Sequence, residues 1–127
     1  MAGWSRRGFT ALVGAGMVAA ALPRRTRAET RARVVVIGGG FGGATAAKYL
    51  RLLDPAIEVT LVEPNPYFYT CPFSNLVLAG LRPMSAIRHG YDKLAGTYGV
   101  KLVQASAAAV DPVKKSVVLA GGGTLDY

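Results

Sequence analysis

The chain has 127 residues, one cysteine, one histidine and a formal charge of +8. This length allows one modest domain, and a single cysteine excludes an intramolecular disulfide framework, a cysteine-rich zinc site and a C-x-x-C-H haem attachment. The charge is unevenly placed, because residues 1–33 carry seven Arg and one Glu, hence +6, whereas residues 34–127 carry only +2. No basic stripe remains outside the amino-terminal segment, so the composition predicts no nucleic-acid partner.

The first 28 residues have the layout of an export signal. Ser5-Arg6-Arg7-Gly8-Phe9 matches the twin-arginine pattern S-R-R-x-F, and the apolar run 10–22 is shorter than the about 20 residues that cross a bilayer. Thr10-Ala11 and the weak cleavage site Thr26-Arg27-Ala28 depart from the usual signal. We predict that residues 1–28 are removed after twin-arginine export, leaving a periplasmic protein without stable membrane insertion. An uncleaved membrane-anchoring helix is the alternative.

Residues 33–63 predict a β–α–β unit. Residues 34–37 form a β-branched run typical of a strand buried on both faces of a parallel sheet. A helix is predicted over residues 44–53, and Asp54-Pro55 ends it because the residue before proline avoids helical torsions. Residues 57–62 form the second strand. The predicted fold class is therefore α/β, with a Rossmann-like unit on a parallel sheet.

The turn between the first strand and the helix carries a dinucleotide-binding fingerprint. Gly38, Gly40 and Gly43 satisfy G-x-G-x-x-G; the first permits a tight turn, the second lets the backbone approach a pyrophosphate, and the third allows close helix–strand contact. Helix N–H groups then attract the phosphate charge. Glu63 lies 20 residues after Gly43, where an acid can accept ribose hydroxyls. The fingerprint does not distinguish FAD from NAD, and a glycine-rich turn without a ligand is the alternative.

An extended segment with two prolines follows Glu63. Eight residues lead from Glu63 to Cys71, a reach of roughly 26 Å, which is enough to follow a dinucleotide from its ribose to its far ring. The aromatic residues of this segment supply flat apolar walls, and Thr70, Ser74 and Asn75 offer polar contacts. Taken alone, these residues favour the commonest role of a free cysteine for Cys71, a small buried hydrophobic side chain.

The remainder of the chain mixes short elements. Residues 76–81 and 85–94 are predicted to be helical or irregular, and His89 is predicted to be a surface or hydrogen-bonded structural residue. A third strand is predicted over residues 100–103, with residues 106–110 continuing it, and a β-hairpin over residues 117–123. Such a piece would leave a sheet edge uncovered. We therefore expect the domain to be incomplete at its carboxyl end.

Four segments, GGGFGGATAAKYL, EVTLVEP, YTCPFSN and IRHGYD, resemble the flavoprotein subunit of flavocytochrome c sulfide dehydrogenase, in the pyridine nucleotide-disulfide oxidoreductase superfamily. The resemblance implies that residues 29–127 are the amino-terminal part of an FAD-binding domain. It also implies that the sulfur of Cys71 is bonded to the 8α-methyl of FAD. The cofactor-binding positions that it implies are Gly38, Gly40, Phe41, Gly42, Gly43, Glu63, Cys71, Asn75 and Ala107.

The function implied by this resemblance is oxidation of sulfide to sulfur or polysulfide, with electrons passing through FAD to a separate c-type cytochrome subunit. No catalytic residue and no metal ligand is assigned within this chain, because the redox-active cysteine pair of the family lies in the parts that are missing. A sulfide:quinone or NADH:quinone oxidoreductase is the nearer alternative. A non-catalytic nucleotide-binding fragment is the alternative of another class.

Overall fold

The computed structural model describes residues 32–127, so the predicted export signal lies outside the described residues. The regular elements of the described part are short except for one helix. In chain order they are β1 (Arg33–Ile37), α1 (Phe41–Leu53), β2 (Glu58–Val62), β3 (Tyr67–Tyr69), α2 (Ser74–Leu78), a 3₁₀ helix (Met84–Ile87), β4 (Arg88–Gly90), α3 (Asp92–Gly96), β5 (Lys101–Val103), β6 (Ala107–Asp111), β7 (Ser116–Leu119) and β8 (Thr124–Asp126).

A parallel sheet in the order β1-β2-β5 confirms the predicted β–α–β unit. Val34 pairs with Val59 and Ile37 with Val62, so the carboxyl ends of β1 and β2 lie side by side. α1 ends at Leu53, as Asp54-Pro55 predicts, and the Asp54 N–H donates to the Leu50 carbonyl at 3.1 Å. The helix begins three residues earlier than predicted, because its first turn includes the glycines of the loop.

The core lies between α1, β2 and the start of α3. Its side chains are almost completely removed from water, and each large aliphatic one contributes about 2 kcal/mol through burial. The residues at its centre are Ala47, Val59, Leu61, Tyr91, Leu94 and Val100.

β1 is less buried than predicted. The sequence suggested burial on both faces, yet the strand is half-buried and Ile37 is 49% exposed. The reason is its position, because within residues 32–127 β1 pairs with β2 alone and forms the edge of the parallel sheet. A β-branched run therefore identified the strand but not its place in the sheet.

Residues 106–110 do not continue the third strand, which corrects that prediction. The Ala105 N–H donates to the Val103 carbonyl at 3.0 Å, a tight turn that ends β5. β6 then pairs with β7 in a separate antiparallel sheet, β6-β7-β8. The predicted hairpin over residues 117–123 is confirmed as the β7–β8 pair, and Gly121 to Gly123 all have positive φ angles, which favour glycine.

A second antiparallel pair joins β3 to β4, with Phe68 opposite His89. Residues 88–90 were predicted to be helical or irregular, so their strand conformation is a further correction. The pairing with β3 accounts for it, because Tyr67 lies opposite Gly90 and Tyr69 opposite Arg88, and a local pattern does not record a partner so distant in sequence. The Arg88 guanidinium lies over the Tyr67 ring, 4.5 Å from its centre, and reinforces the pair.

Candidate functional site

The glycine loop between β1 and α1 has the backbone geometry that its sequence predicts. Gly38 has φ +92°, a conformation that side chains other than hydrogen disfavour. A Cβ added at Gly43 would overlap the Gly38 carbonyl oxygen and crowd the Val36 side chain at 3.3 Å. Both glycines are therefore required by the protein's own backbone, at a tight turn and at a close helix–strand contact.

Gly42 differs, because the protein does not occupy the space beside it. A Cβ added at Gly42 would meet no atom within 4 Å, and one at Gly40 would meet only the Phe68 ring, at 3.6 Å. Packing within the described residues does not require glycine at either position. The open space beside these two residues fits a ligand that approaches the backbone closely.

The amino terminus of α1 offers unpaired donors at this space. Gly40 is the N-cap residue, it provides no side-chain cap, and no acid lies in the first turn. The first intrahelical bond is the Ala44 N–H to the Gly40 carbonyl, at 3.0 Å. The N–H groups of Phe41, Gly42 and Gly43 thus lack intrahelical acceptors and make the helix end attractive to an anion.

Glu63 lies just past the carboxyl end of β2 and is joined to the glycine loop. Its Oε2 accepts the Gly39 N–H at 2.8 Å, and its Oε1 accepts the backbone and side-chain N–H groups of Asn65, each at 2.9 Å. Burial alone would raise the pKa of Glu63, but the hydrogen bonds from Gly39 and Asn65 outweigh it and lower the pKa below its usual value. A carboxylate accepts about four hydrogen bonds, so acceptor capacity remains for ribose hydroxyls.

Tyr91 belongs to the site, although the sequence did not single it out. Its side chain is buried, and its hydroxyl donates to the Gly39 carbonyl at 3.0 Å. A Cβ added at Gly39 would overlap the Tyr91 ring. Burial, and then the charge of Glu63, raise the pKa of Tyr91. His89, which is predicted to be a surface or hydrogen-bonded structural residue, lies exposed on β4.

A cavity of about 180 Å³ lies beside Glu63, at the carboxyl ends of β2 and β5. The Glu63 N–H donates to the Val103 carbonyl at 3.0 Å, which brings the two strand ends together. Residues from both strand ends and from the start of α3 line the cavity: Glu63, Asn65, Tyr91, Asp92, Val103 and Gln104 are among them. Sequence patterns did not reveal Gln104, because its position depends on where β5 stops.

Ala107 lies away from this cavity. It pairs with Leu119 at the start of β6 and is half-buried in the antiparallel sheet. The residues that line the cavity include Val103 and Gln104 rather than Ala107. Its contact with a cofactor stays a prediction.

Cys71 is a free thiol and is exposed. Within the described residues it is therefore not the small buried side chain that its residue type alone favours. The Thr70 N–H donates to the Ile87 carbonyl at 2.9 Å and the Ser74 N–H to the Cys71 carbonyl at 3.0 Å, so the backbone on both sides is held. Phe73 has φ +68°, a left-handed conformation that costs a non-glycine residue about 1 kcal/mol or more. Asn75, in α2, is exposed as well.

Phe68 connects the Cys71 segment to the glycine loop. Its ring packs edge-on against the Phe41 ring, with centroids 5.0 Å apart and an interplanar angle of 79°. The same ring lies beside Gly40. β3 is thereby held against the amino terminus of α1, and Cys71 follows two residues after β3 ends. Tertiary packing thus places Phe41, Gly40 and the Cys71 segment in one region.

The part of the chain from residue 32 to residue 127 contains no group of three or more His, Cys, Asp or Glu side chains that could hold a metal ion. None of its helices is both long enough and apolar enough to cross a membrane.

Comparison with known proteins gives consistent matches. Residues 32–127 match the family model described as pyridine nucleotide-disulphide oxidoreductase. The chain is 76% identical over 45 residues to the sulfide dehydrogenase [flavocytochrome c] flavoprotein chain of Chlorobaculum thiosulfatiphilum, which is 35% of this chain and 94% of that sequence. It is also 34% identical over 95 residues to the sulfide-quinone reductase of Aquifex aeolicus. This alignment covers 74% of this chain and 22% of the reductase.

A solved structure of a sulfide:quinone oxidoreductase agrees with these sequence matches. The sulfide:quinone oxidoreductase from the hyperthermophilic bacterium Aquifex aeolicus matches with a TM-score of 0.70 and 31% identity, over 76% of this chain and 22% of that one. The chain therefore spans about a fifth of the length of this relative.

Proposed function

Because the chain belongs to the pyridine nucleotide-disulphide oxidoreductase family, we propose that it is the amino-terminal, FAD-binding part of a flavocytochrome c sulfide dehydrogenase flavoprotein. The observation that carries this proposal is the 76% identity to the Chlorobaculum thiosulfatiphilum flavoprotein chain over nearly that whole sequence. The chemistry that FAD supplies when bound is the acceptance of two electrons from sulfide and their release one at a time to a haem.

The residues of the glycine loop fit the pyrophosphate of FAD. The open space beside Gly40 and Gly42 and the unpaired N–H groups of Phe41, Gly42 and Gly43 suit its charge and its close approach. Glu63, with its lowered pKa, is an ionised acceptor for ribose hydroxyls at neutral pH. The cavity beside Glu63 extends the site toward the carboxyl end of β5. This chain therefore binds and orients the flavin, and the other parts of the protein handle sulfur.

We further propose a thioether between the Cys71 sulfur and the 8α-methyl of FAD. Its formation would break the S–H bond and one C–H bond of the methyl group, and the oxidised flavin ring would itself take up the two electrons and two protons released, to be reoxidised later by the electron acceptor. The support for the thioether is the exposed thiol, the backbone that is held on both sides of it, and the packing of β3 against the start of α1. A covalent bond would keep the flavin in place outside the cytoplasm. This fits the proposed export of the protein to the periplasm through residues 1–28, which rests on Ser5-Arg6-Arg7-Gly8-Phe9 and the apolar run after it.

The proposed electron acceptor is a separate c-type cytochrome subunit. The matching Chlorobaculum thiosulfatiphilum protein is described as the flavoprotein chain of a flavocytochrome c, and the single cysteine of this chain excludes a C-x-x-C-H haem attachment within it. A quinone acceptor is the second candidate, favoured by the TM-score of 0.70 to a sulfide:quinone oxidoreductase.

Two experiments on the full-length protein test these proposals. Flavin fluorescence should remain on the polypeptide after denaturing electrophoresis, vanish in Cys71→Ser, and persist in Ser106→Ala, a control at an exposed serine. Wild-type protein without the band would contradict the thioether while leaving noncovalent FAD binding open. Sulfide-dependent reduction of cytochrome c, with no reduction of a soluble quinone, is expected; the reverse preference would favour the second candidate.

A further inference from the structure

Tyr91 is fixed at both of its ends. Its carbonyl accepts the N–H groups of Leu94 at 2.9 Å and Ala95 at 3.2 Å, so its backbone is held at the amino terminus of α3. The residue is 9% exposed and belongs to the core, and its hydroxyl reaches Gly39 across 52 residues of sequence. Tyr91 therefore connects the amino terminus of α3 to the glycine loop.

The direction of this hydrogen bond has a consequence for the neighbouring amide. The Gly39 carbonyl and the Gly40 N–H belong to one planar trans peptide, in which the two groups point in opposite directions. Because the carbonyl points inward to Tyr91, the Gly40 N–H points away from Tyr91. Among residues 32–127 this N–H donates to no protein acceptor. It is therefore free to donate to an anion beside the glycine loop.

The loop itself would not hold this peptide. Gly38, Gly39 and Gly40 are successive glycines, whose backbones rotate with little steric restriction. If the Gly39–Gly40 peptide rotated by half a turn, its carbonyl oxygen would face the phosphate and repel it. The Tyr91 ring also occupies the space beside Gly39 that a side chain would need, so the tyrosine and the glycine are sterically matched.

We propose that Tyr91 is a positioning residue of the dinucleotide site, holding the Gly39–Gly40 peptide with its N–H toward the pyrophosphate. This inference rests on the proposed function, because it requires a dinucleotide at the glycine loop. A tyrosine hydroxyl is protonated at neutral pH even at its usual pKa of about 10, and burial, followed by the charge of Glu63, raises the pKa of Tyr91 further, so the hydroxyl serves as the donor. Tyr91 acts through the backbone and touches no reacting atom.

The test compares a ligand that has a pyrophosphate with one that lacks it. Full-length protein carrying Cys71→Ser, freed of flavin, is titrated calorimetrically with ADP and with adenosine. Tyr91→Phe keeps the ring but removes the donor, and we expect it to weaken ADP binding about tenfold, the effect of one hydrogen bond, while leaving adenosine binding unchanged. Tyr98→Phe is the matched control, since its hydroxyl has no partner within the described residues.

Each result has one meaning. Equal weakening of ADP and adenosine, or no weakening of either, would overturn the role of Tyr91 while leaving dinucleotide binding intact. A parent protein that binds neither ADP nor FAD would overturn the proposed function and this inference with it. If Tyr91→Phe does not fold, hydrogen exchange of the Gly40 amide in the parent protein decides, because ADP must slow that exchange. An unchanged exchange rate would overturn the inference.

Discussion

The Glu63 carboxylate accepts the Gly39 N–H at 2.8 Å, across 24 residues of sequence. This bond joins the end of β2 to the turn that follows β1, at the edge of the sheet where the cavity lies. The loop and the acid of the dinucleotide fingerprint are thus in direct contact before any ligand is considered. Changes at Glu63 should affect both folding and binding.

Replacing Glu63 by Gln should lower both the stability of the fold and its affinity for FAD. The amide keeps the shape of the side chain but loses its charge, and half of its acceptors become donors. We expect the free energy of unfolding to fall by about 1.5–3 kcal/mol, the value of a hydrogen bond to a charged group, and FAD affinity to fall about tenfold or more. Chemical unfolding and flavin titration measure the two effects. Asp126→Asn is the control, at an exposed carboxylate that makes only a long surface ion pair with Arg33, at 3.8 Å; it should change the free energy of unfolding by less than about 1 kcal/mol and leave FAD affinity unchanged.

The contribution of Glu63 to the free energy of unfolding should be lost as the pH falls. Its pKa is lowered in the folded protein from the usual 4.5, so the unfolded state binds the proton more readily. The contribution is therefore fully present above the unfolded pKa and is lost as the pH falls through the folded pKa. Unfolding of the wild type and of Glu63→Gln should differ by a constant free energy above about pH 6, and the difference should shrink below about pH 4. A difference that grew on acidification would contradict this assignment.

Two neighbouring glycines should respond in opposite ways to alanine. Gly43→Ala places a Cβ against the Gly38 carbonyl and should destabilise the fold by about 3 kcal/mol through overpacking. Gly42→Ala meets no protein atom within 4 Å and should stabilise α1 by up to about 1 kcal/mol, because alanine favours a helix. Thermal unfolding distinguishes them. FAD affinity should nevertheless fall in Gly42→Ala, since the methyl group would enter the proposed ligand space.

Arg51 should be important for stability without taking part in binding. Its guanidinium donates to the carbonyls of Tyr98 at 2.8 Å and Pro55 at 2.6 Å, and also to that of Ile57. Arg51→Met removes these donors while keeping the aliphatic stem, and should lower the free energy of unfolding by about 2 kcal/mol. Lys93→Met, at an exposed position, should have no comparable effect. Loss of FAD affinity in a folded Arg51→Met protein would contradict the separation of the two roles.

The order of the first elements could be predicted because local patterns suffice for it. A β-branched run, a glycine turn and a helix that ends before Pro55 are recognisable from residue types and spacing. The predictions that were wrong concern segments whose conformation depends on partners distant in sequence. Residues 88–90 form β4 because they pair with β3, and residues 107–111 belong to the antiparallel sheet because they pair with β7.

The sequence by itself determined the glycine fingerprint, the acid 20 residues after it, and the single cysteine in a proline-rich segment. Each depends on covalent spacing and backbone preference, which a linear pattern records. Tertiary structure alone decided that Tyr91 supports Gly39, that Val103 and Gln104 rather than Ala107 line the cavity, and that Cys71 is exposed. These properties arise where strand ends and loops meet in space, and packing between residues far apart in sequence determines them.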